Sequence, residues 1–244
     1  MPRTPPPSGP YREARPPVHL RDRVRCIWQY QADPQTASTT RVLPDGCVDL
    51  IWDGTRLFVA GPDQHAATVT LGAGARLTGL RLAPGVAHRL CAASMHTLTD
   101  RRVDAEAVLG RAGYALQQRL ADGADPGPTL LAAMETGCAA PDPAMAWLFA
   151  QLAGGPPARV PVLAGALGVS ARSLQRHCLQ AFGYGPKVLD RILRLQRLLA
   201  LSPGTTSLTA AALDAGYADA THLAHDVRRL TGLTPTVLVR EHGR

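Results

Sequence analysis

Arg172, Ser173, Arg176 and Gln180 recur at helical spacing on one outward stripe, with Gln175 at its margin. These side chains carry the chemistry of base recognition. A guanidinium donates two hydrogen bonds to guanine O6 and N7, and a carboxamide pairs with adenine N6 and N7. A second stripe follows, made of Thr221, His222, His225, Arg228 and Arg229. His222 and His225 could in principle hold a metal. No cysteine or carboxylate pair accompanies them at ligand spacing, so they read as contacts to phosphate or base edges.

The elements that must carry these stripes are two copies of one unit, a helix, a tight turn and a second helix. Gly168 and Gly216 mark the turns, 48 residues apart, while Leu174/Leu223, Gly183/Gly232 and Pro186/Pro235 are all separated by 49. Ser170 and Asp219 are placed to accept hydrogen bonds from the free N–H groups of the first turn. They predict recognition helices over Ala171 to about Phe182 and over Ala220 to Leu230. Leu174 then faces inward with Ala171, Cys178 and Ala181, and Leu223 with Val227 and Leu230. Between the units, Pro186 opens a long helix whose Val188, Ile192, Leu195 and Leu199 share one side. Such a helix fixes the separation of two readers, and readers about 34 Å apart reach successive major-groove segments on one face of a duplex.

Charge is distributed to match. The net charge is +7, but residues 156–244 carry ten Arg and one Lys against five acids, or +6. Residues 1–25 carry +4 and residues 26–155 carry −3. A general bias toward arginine explains the scarcity of lysine, but not this segregation. No apolar run reaches the roughly 18 residues of a membrane span, and the proline-rich start has no hydrophobic signal core, so a cytoplasmic protein without a membrane role is expected. Cys26, Cys47, Cys91, Cys138 and Cys178 are scattered singles without a CxxC pair, suited to small buried side chains in a reducing compartment.

Ahead of the repeat, residues 1–22 read as a disordered Pro/Arg-rich tail. Five short strands follow, over 24–28, 47–52, 56–60, 67–71 and 76–82, punctuated by Pro44-Asp45-Gly46, Asp53-Gly54 and Gly61-Pro62-Asp63. They suggest a small antiparallel barrel or sandwich. Helices are expected over 84–92, 103–121, 128–138 and 142–153, with the domain boundary in Gly154-Gly155-Pro156-Pro157. Trp28, Arg41, Asp49, Trp52 and Arg81 have the mix of aromatic walls and polar anchors that lines an effector pocket. Buried tryptophans and a satisfied Arg/Asp pair would look the same in an ordinary core. His65, His88 and His96 lack the close His-x-His pair and partnering Glu of a metal site.

Residues 160–244 resemble the C-terminal DNA-binding domain of AraC/XylS-type transcription regulators. The resemblance rests on Leu167-Gly168-Val169-Ser170, Ser173-Leu174-Gln175-Arg176, Gly183 with Pro186, Arg194-Leu195, Ala215-Gly216-Tyr217-Ala218-Asp219, His222-Leu223 and Gly232-Leu233-Thr234-Pro235. It implies base reading by Arg172, Gln175 and Arg176 in the first helix, and by Thr221, His222, Ala224 and His225 in the second. Two positions depart from the family pattern: His225 stands where Arg is common and Cys178 where Phe is common. The segments Leu43–Ile51, Ala60-Gly61-Pro62 and Gly79–Gly85 resemble the small sensor-like domain that precedes this unit in some members. That resemblance implies effector binding or dimerisation, often on a cupin-like β-fold.

The fold expected is therefore α+β: a β-rich sensor domain with a helical extension over 23–155, then an all-α DNA-binding domain over 156–244. The function expected is sequence-specific regulation of transcription without enzymatic activity, cofactor or metal. Its partners would be double-stranded promoter DNA, a small-molecule effector, a second copy of the chain and, for an activator, RNA polymerase. Two alternatives stand beside it. A DNA-repair methyltransferase can carry the same type of DNA-binding domain, but needs a zinc-activated cysteine among other cysteines. An interaction adaptor with degenerate DNA-binding units is the other.

Overall fold

A computed structural model describes residues 11–91, 93–137, 140–154, 159–201 and 207–242. Residues 1–10 of the expected tail, Cys138 and the expected boundary at 155–156 lie outside the described residues. No described helix is long and apolar enough to cross a membrane.

The N-terminal part is built on two antiparallel sheets. Strands β1 (Tyr11–Ala14), β2 (Val24–Gln31), β4 (Asp49–Trp52), β5 (Leu57–Ala60), β7 (Arg76–Leu82) and β8 (Arg102–Asp104) form one, in the order β1-β2-β7-β4-β5-β8. Strands β3 (Ser38–Val42) and β6 (Ala67–Leu71) form a separate two-stranded ribbon. Among the described residues neither sheet closes into a barrel. Strands β1, β3 and β8 lie outside the strands expected from the sequence. Residues 11–22, read from the sequence as part of a disordered tail, are structured: β1 pairs with β2, Tyr11 stacks on Trp28 at 6.0 Å and Leu20 is fully buried.

Alternation sorts the side chains of the large sheet onto two faces. Leu50, Trp52, Leu57, Val59, Leu80 and Leu82 point into one core. That core is covered by short helices α1 (Ala87–Leu90) and α2 (Met95–Leu98), then α3 (Ala105–Leu109), α4 (Arg111–Ala121) and α5 (Pro126–Gly137). The helix expected over 103–121 is interrupted because Gly110 takes a positive φ of 58°. The opposite face carries Trp28, Tyr30, Asp49, Ile51, Leu77 and Arg81. Trp28 sits opposite Gly79 in the register, and a Cβ at Gly79 would lie 2.1 Å from the indole ring.

The C-terminal part contains α7 (Val160–Ala166), α8 (Ala171–Phe182), α9 (Pro186–Leu201), α10 (Leu208–Asp214), α11 (Ala220–Thr231) and α12 (Pro235–His242). Helix α6 (Pro143–Gly154) precedes them, yet Met145, Leu148 and Leu152 pack into this second core. Helix α9 is its centre, with Leu189, Ile192, Leu193, Leu195, Leu198 and Leu199 all buried.

Gly79→Ala forces the Trp28 ring off the sheet, and we expect it to cost about 1 to 3 kcal/mol by overpacking. Urea unfolding followed by tryptophan fluorescence measures this; an unchanged midpoint would show that the ring has room to move.

Candidate nucleic-acid interface and ligand cavity

The two helix-turn-helix units are built by the same local devices. Ser170 Oγ accepts from the Ser173 N–H at 3.1 Å, and Asp219 Oδ1 accepts from the His222 N–H at 2.7 Å. Gly168 and Gly216 turn the chain with φ of 65° and 95°, and Gly183 and Gly232 end the second helices in the left-handed region at 83° and 74°. Each of these positions disfavours a Cβ.

On α8, Leu174, Cys178 and Ala181 are buried, and Arg172, Gln175, Arg176 and Gln180 are exposed, as the spacing predicts. Ala171 is exposed rather than buried, because the first turn projects past the core. Ser173 is half-buried, its hydroxyl 3.1 Å from that of Ser170. The Gln175 carboxamide lies against Gly185, where a Cβ would come within 2.3 Å of it.

On α11, Thr221, Ala224, His225, Arg228 and Arg229 are exposed. His222 differs from the outward reader expected. Its ring packs edge-on against Tyr217, Nδ1 lies 3.3 Å from the Ala218 N–H, and Nε2 lies 2.8 Å from Arg194 and 3.3 Å from Asp226. His222 thus belongs to an ionic cluster that joins α11 to α9. Asp226 is its centre, buried on the inward face of α11, 2.9 Å from Arg191 Nε and 3.6 Å from Arg194 Nη1. Arg194 also bonds Asp190 and lies over the Tyr217 ring. The signal for this cluster is present in the sequence. Asp226 falls three residues after Leu223 and one before Val227, on the inward stripe, where a carboxylate demands a cationic partner.

The second site lies between the six-stranded sheet and the ribbon, where a cavity of about 380 Å³ opens. Trp28, Arg41, Asp49 and Arg81 line it together. Trp52 does not line it: three residues beyond Asp49 on the same strand, it points to the opposite face and is buried in the other core. Tyr11, Tyr30 and Phe58 supply walls that the sequence does not reveal. Asp49 accepts from Trp28 Nε1 at 2.7 Å and from Arg81 Nε at 3.2 Å; Asp45 lies 3.6 Å from Arg81 Nη1. Arg102 grips Asp63 with two bonds of 2.7 Å. Burial pushes the Asp49 carboxyl up, and the Arg81 guanidinium counters it.

Cys26, Cys47, Cys91 and Cys178 are buried, and burial pushes the thiols of Cys26, Cys47 and Cys178 up to about 12. That is opposite to the tuning of a nucleophilic thiolate.

Paired, capped helices on a common central helix define the C-terminal part as a tandem helix-turn-helix domain. Residues 163–241 match the family model described as a helix-turn-helix domain, and residues 12–104 match one described as a domain of unknown function (DUF6597). The C-terminal part is thus a helix-turn-helix domain of the AraC type. No curated protein matches the sequence. Solved structures of ToxT from Vibrio cholerae are similar at low identity. An apo point variant from strain SCE256 has 10% identity and a TM-score of 0.48, covering 89% of this chain and 97% of that one. The strain O395 protein has 10% identity and a TM-score of 0.46 over 88% and 96%. The wild-type SCE256 protein with an unsaturated fatty acid bound has 11% identity and a TM-score of 0.45 over 86% and 93%.

Asp226→Asn leaves Arg191 and Arg194 without their buried carboxylate, and we expect a loss of about 3 to 5 kcal/mol. Chemical denaturation checks it; a change under about 0.5 kcal/mol would place the cluster among interactions that contribute little.

Proposed function

We propose that the protein is a sequence-specific, ligand-responsive transcription regulator that sets α8 and α11 in successive major-groove segments of promoter DNA. The observation that carries this reading is the exposure of arginine on both capped helices, Arg172 and Arg176 on one and Arg228 and Arg229 on the other, around a shared buried helix. Arg172, Gln175 and Arg176 read bases, with Ser173 and Gln180 at the edge of the contact. Thr221, Ala224 and His225 face the second segment, and Arg228 and Arg229 meet phosphate. His222 acts as a positioning residue for that face.

Residues 23–155 form the regulatory part and 156–244 the DNA-binding part by chain order, while α6 associates with the latter by packing. Trp28, Arg41, Asp49 and Arg81 surround the effector, a small molecule with an apolar body, as aromatic walls with few polar anchors favour.

Site selection from random DNA followed by titration tests the reading. We expect Arg176→Ala to cost about 1 to 3 kcal/mol on the selected site and to relax preference at one base position. Equal loss on selected and random DNA would remove Arg176 from base reading. Replacing Arg228 or Arg229 with Ala should weaken binding to every sequence and lower the salt slope by about 1 for each phosphate no longer neutralised. A slope equal to that of the unaltered protein would take these residues off the backbone.

A further inference from the structure

The N-terminal part holds both recognition helices by their C-terminal ends, at the Gly183 carbonyl of one and at the carbonyls one and two residues before Gly232 of the other. At the end of α8, the Gly183 carbonyl accepts from Thr99 Oγ1 at 3.2 Å and lies 3.1 Å from His96 Nδ1. The fit is close: a Cβ on Gly183 would fall 2.7 Å from Pro62 and 2.9 Å from the Met95 carbonyl. At the end of α11, the Thr231 carbonyl accepts from Arg41 Nη1 at 2.9 Å, and the Leu230 carbonyl from the Ala66 N–H at 2.7 Å. Gly183 and Gly232 are the paired glycines of the two units.

The two grips belong to different bodies. Pro62 and Thr99 are pinned to the six-stranded sheet, through Gly61 N–H to the Arg101 carbonyl at 2.9 Å and through the Arg102–Asp63 pair on β8. Arg41 is on β3, and Ala66 directly precedes β6, so the second grip is the two-stranded ribbon, the least supported form of sheet. The cavity lies between these two bodies, and its ribbon wall includes Thr40, Arg41 and Val42. Three of its four arginines have carboxylate partners: Arg81 with Asp49 and Asp45, Arg102 with Asp63, Arg56 with Asp104. Arg41 has none among the described residues, and its hydrogen bond goes to the helix-end carbonyl.

We propose that the cavity takes a small organic anion whose carboxylate or equivalent group draws Arg41 away from Thr231, shifting the ribbon and freeing the second reader while the first stays held. A full negative charge competes for a guanidinium better than a carbonyl at a helix end does. This rests on the effector-cavity reading above and supplies its ligand class and its route to the DNA-binding domain.

Amide hydrogen exchange on the full chain, without DNA, tests it. The probes are benzoate and hexanoate, with benzamide and hexanamide as neutral counterparts. In the unaltered protein the two acids should raise exchange at Ala66 and over 228–233 by about tenfold, the loss of roughly one hydrogen bond. Exchange over 179–184 should not change. Arg41→Met should show the raised exchange without any probe and no further response to the acids. Amides as effective as the acids, or acids without effect, would overturn the anion assignment. Equal opening at both helix ends, or Arg41→Met with protection like the unaltered chain, would overturn the one-sided coupling. Should Arg41→Met fail to fold, the probe comparison in the unaltered protein decides. Because no DNA is present, these outcomes are independent of the base-reading test on Arg176.

Discussion

Helix α9 has almost no free face, and the arrangement of everything around it follows from that. Of its sixteen residues, nine are buried, including Arg194 and Gln196. The apolar ones bind the two helix-turn-helix units and α6 into one core, at about 1.5 to 3 kcal/mol for each large side chain removed from water. The polar ones fix direction. Arg194 and Arg191 tie α11 through Asp226, Arg197 donates to the Ala215 carbonyl in the second turn, and Gln196 reaches the Pro44 carbonyl of the N-terminal part at 2.7 Å. A helix committed on nearly every side holds α8 and α11 at one separation, which a flexible connection between them could not do.

This commitment also changes how the charge of the C-terminal part is understood. The +6 counted along residues 156–244 suggests a broad basic surface. Arg191, Arg194 and Arg197 are turned inward to carboxylates and carbonyls instead. The cations left to meet a polyanion include Arg172 and Arg176 on one helix and Arg228 and Arg229 on the other. Summed charge therefore overstates the footprint, and the exposed pairs locate it more sharply than the total does.

The helical half is legible in the sequence because its signals are local. Ser170, Asp219, Pro186 and the four turn glycines each act within a few residues, and the helix bounds follow from them. The β half is legible only where a strand carries its own alternation. Strands β1, β3 and β8 are short, and they exist because of partners far along the chain, such as Tyr11 on Trp28 or Ser38–Val42 against Ala67–Leu71. Residue type groups Trp52 with Asp49, although an odd separation along a strand puts the two on opposite faces. Periodicity alone places His222 outward; its half-burial follows from Arg194, 28 residues away, which periodicity does not see. Similarly, α6 precedes the expected boundary in sequence but finds its apolar partners on α8 and α9.

The size of the interactions between the two parts limits what a ligand can do. Across the ribbon the second reader is held by two hydrogen bonds, together about 1 to 3 kcal/mol, which is the usual range of coupling between sites. Detaching the whole N-terminal part is a much larger step. It would also break the Gln196–Pro44 bond in a buried setting, the fit of Gly183 against Pro62 and Thr99, and the packing of Phe149 and Leu189 around Gly46. A ligand shifts an equilibrium only by its differential affinity for the two states. A small molecule in a cavity of about 380 Å³ would therefore be matched to moving one ribbon and one helix end, with the six-stranded sheet as the fixed reference.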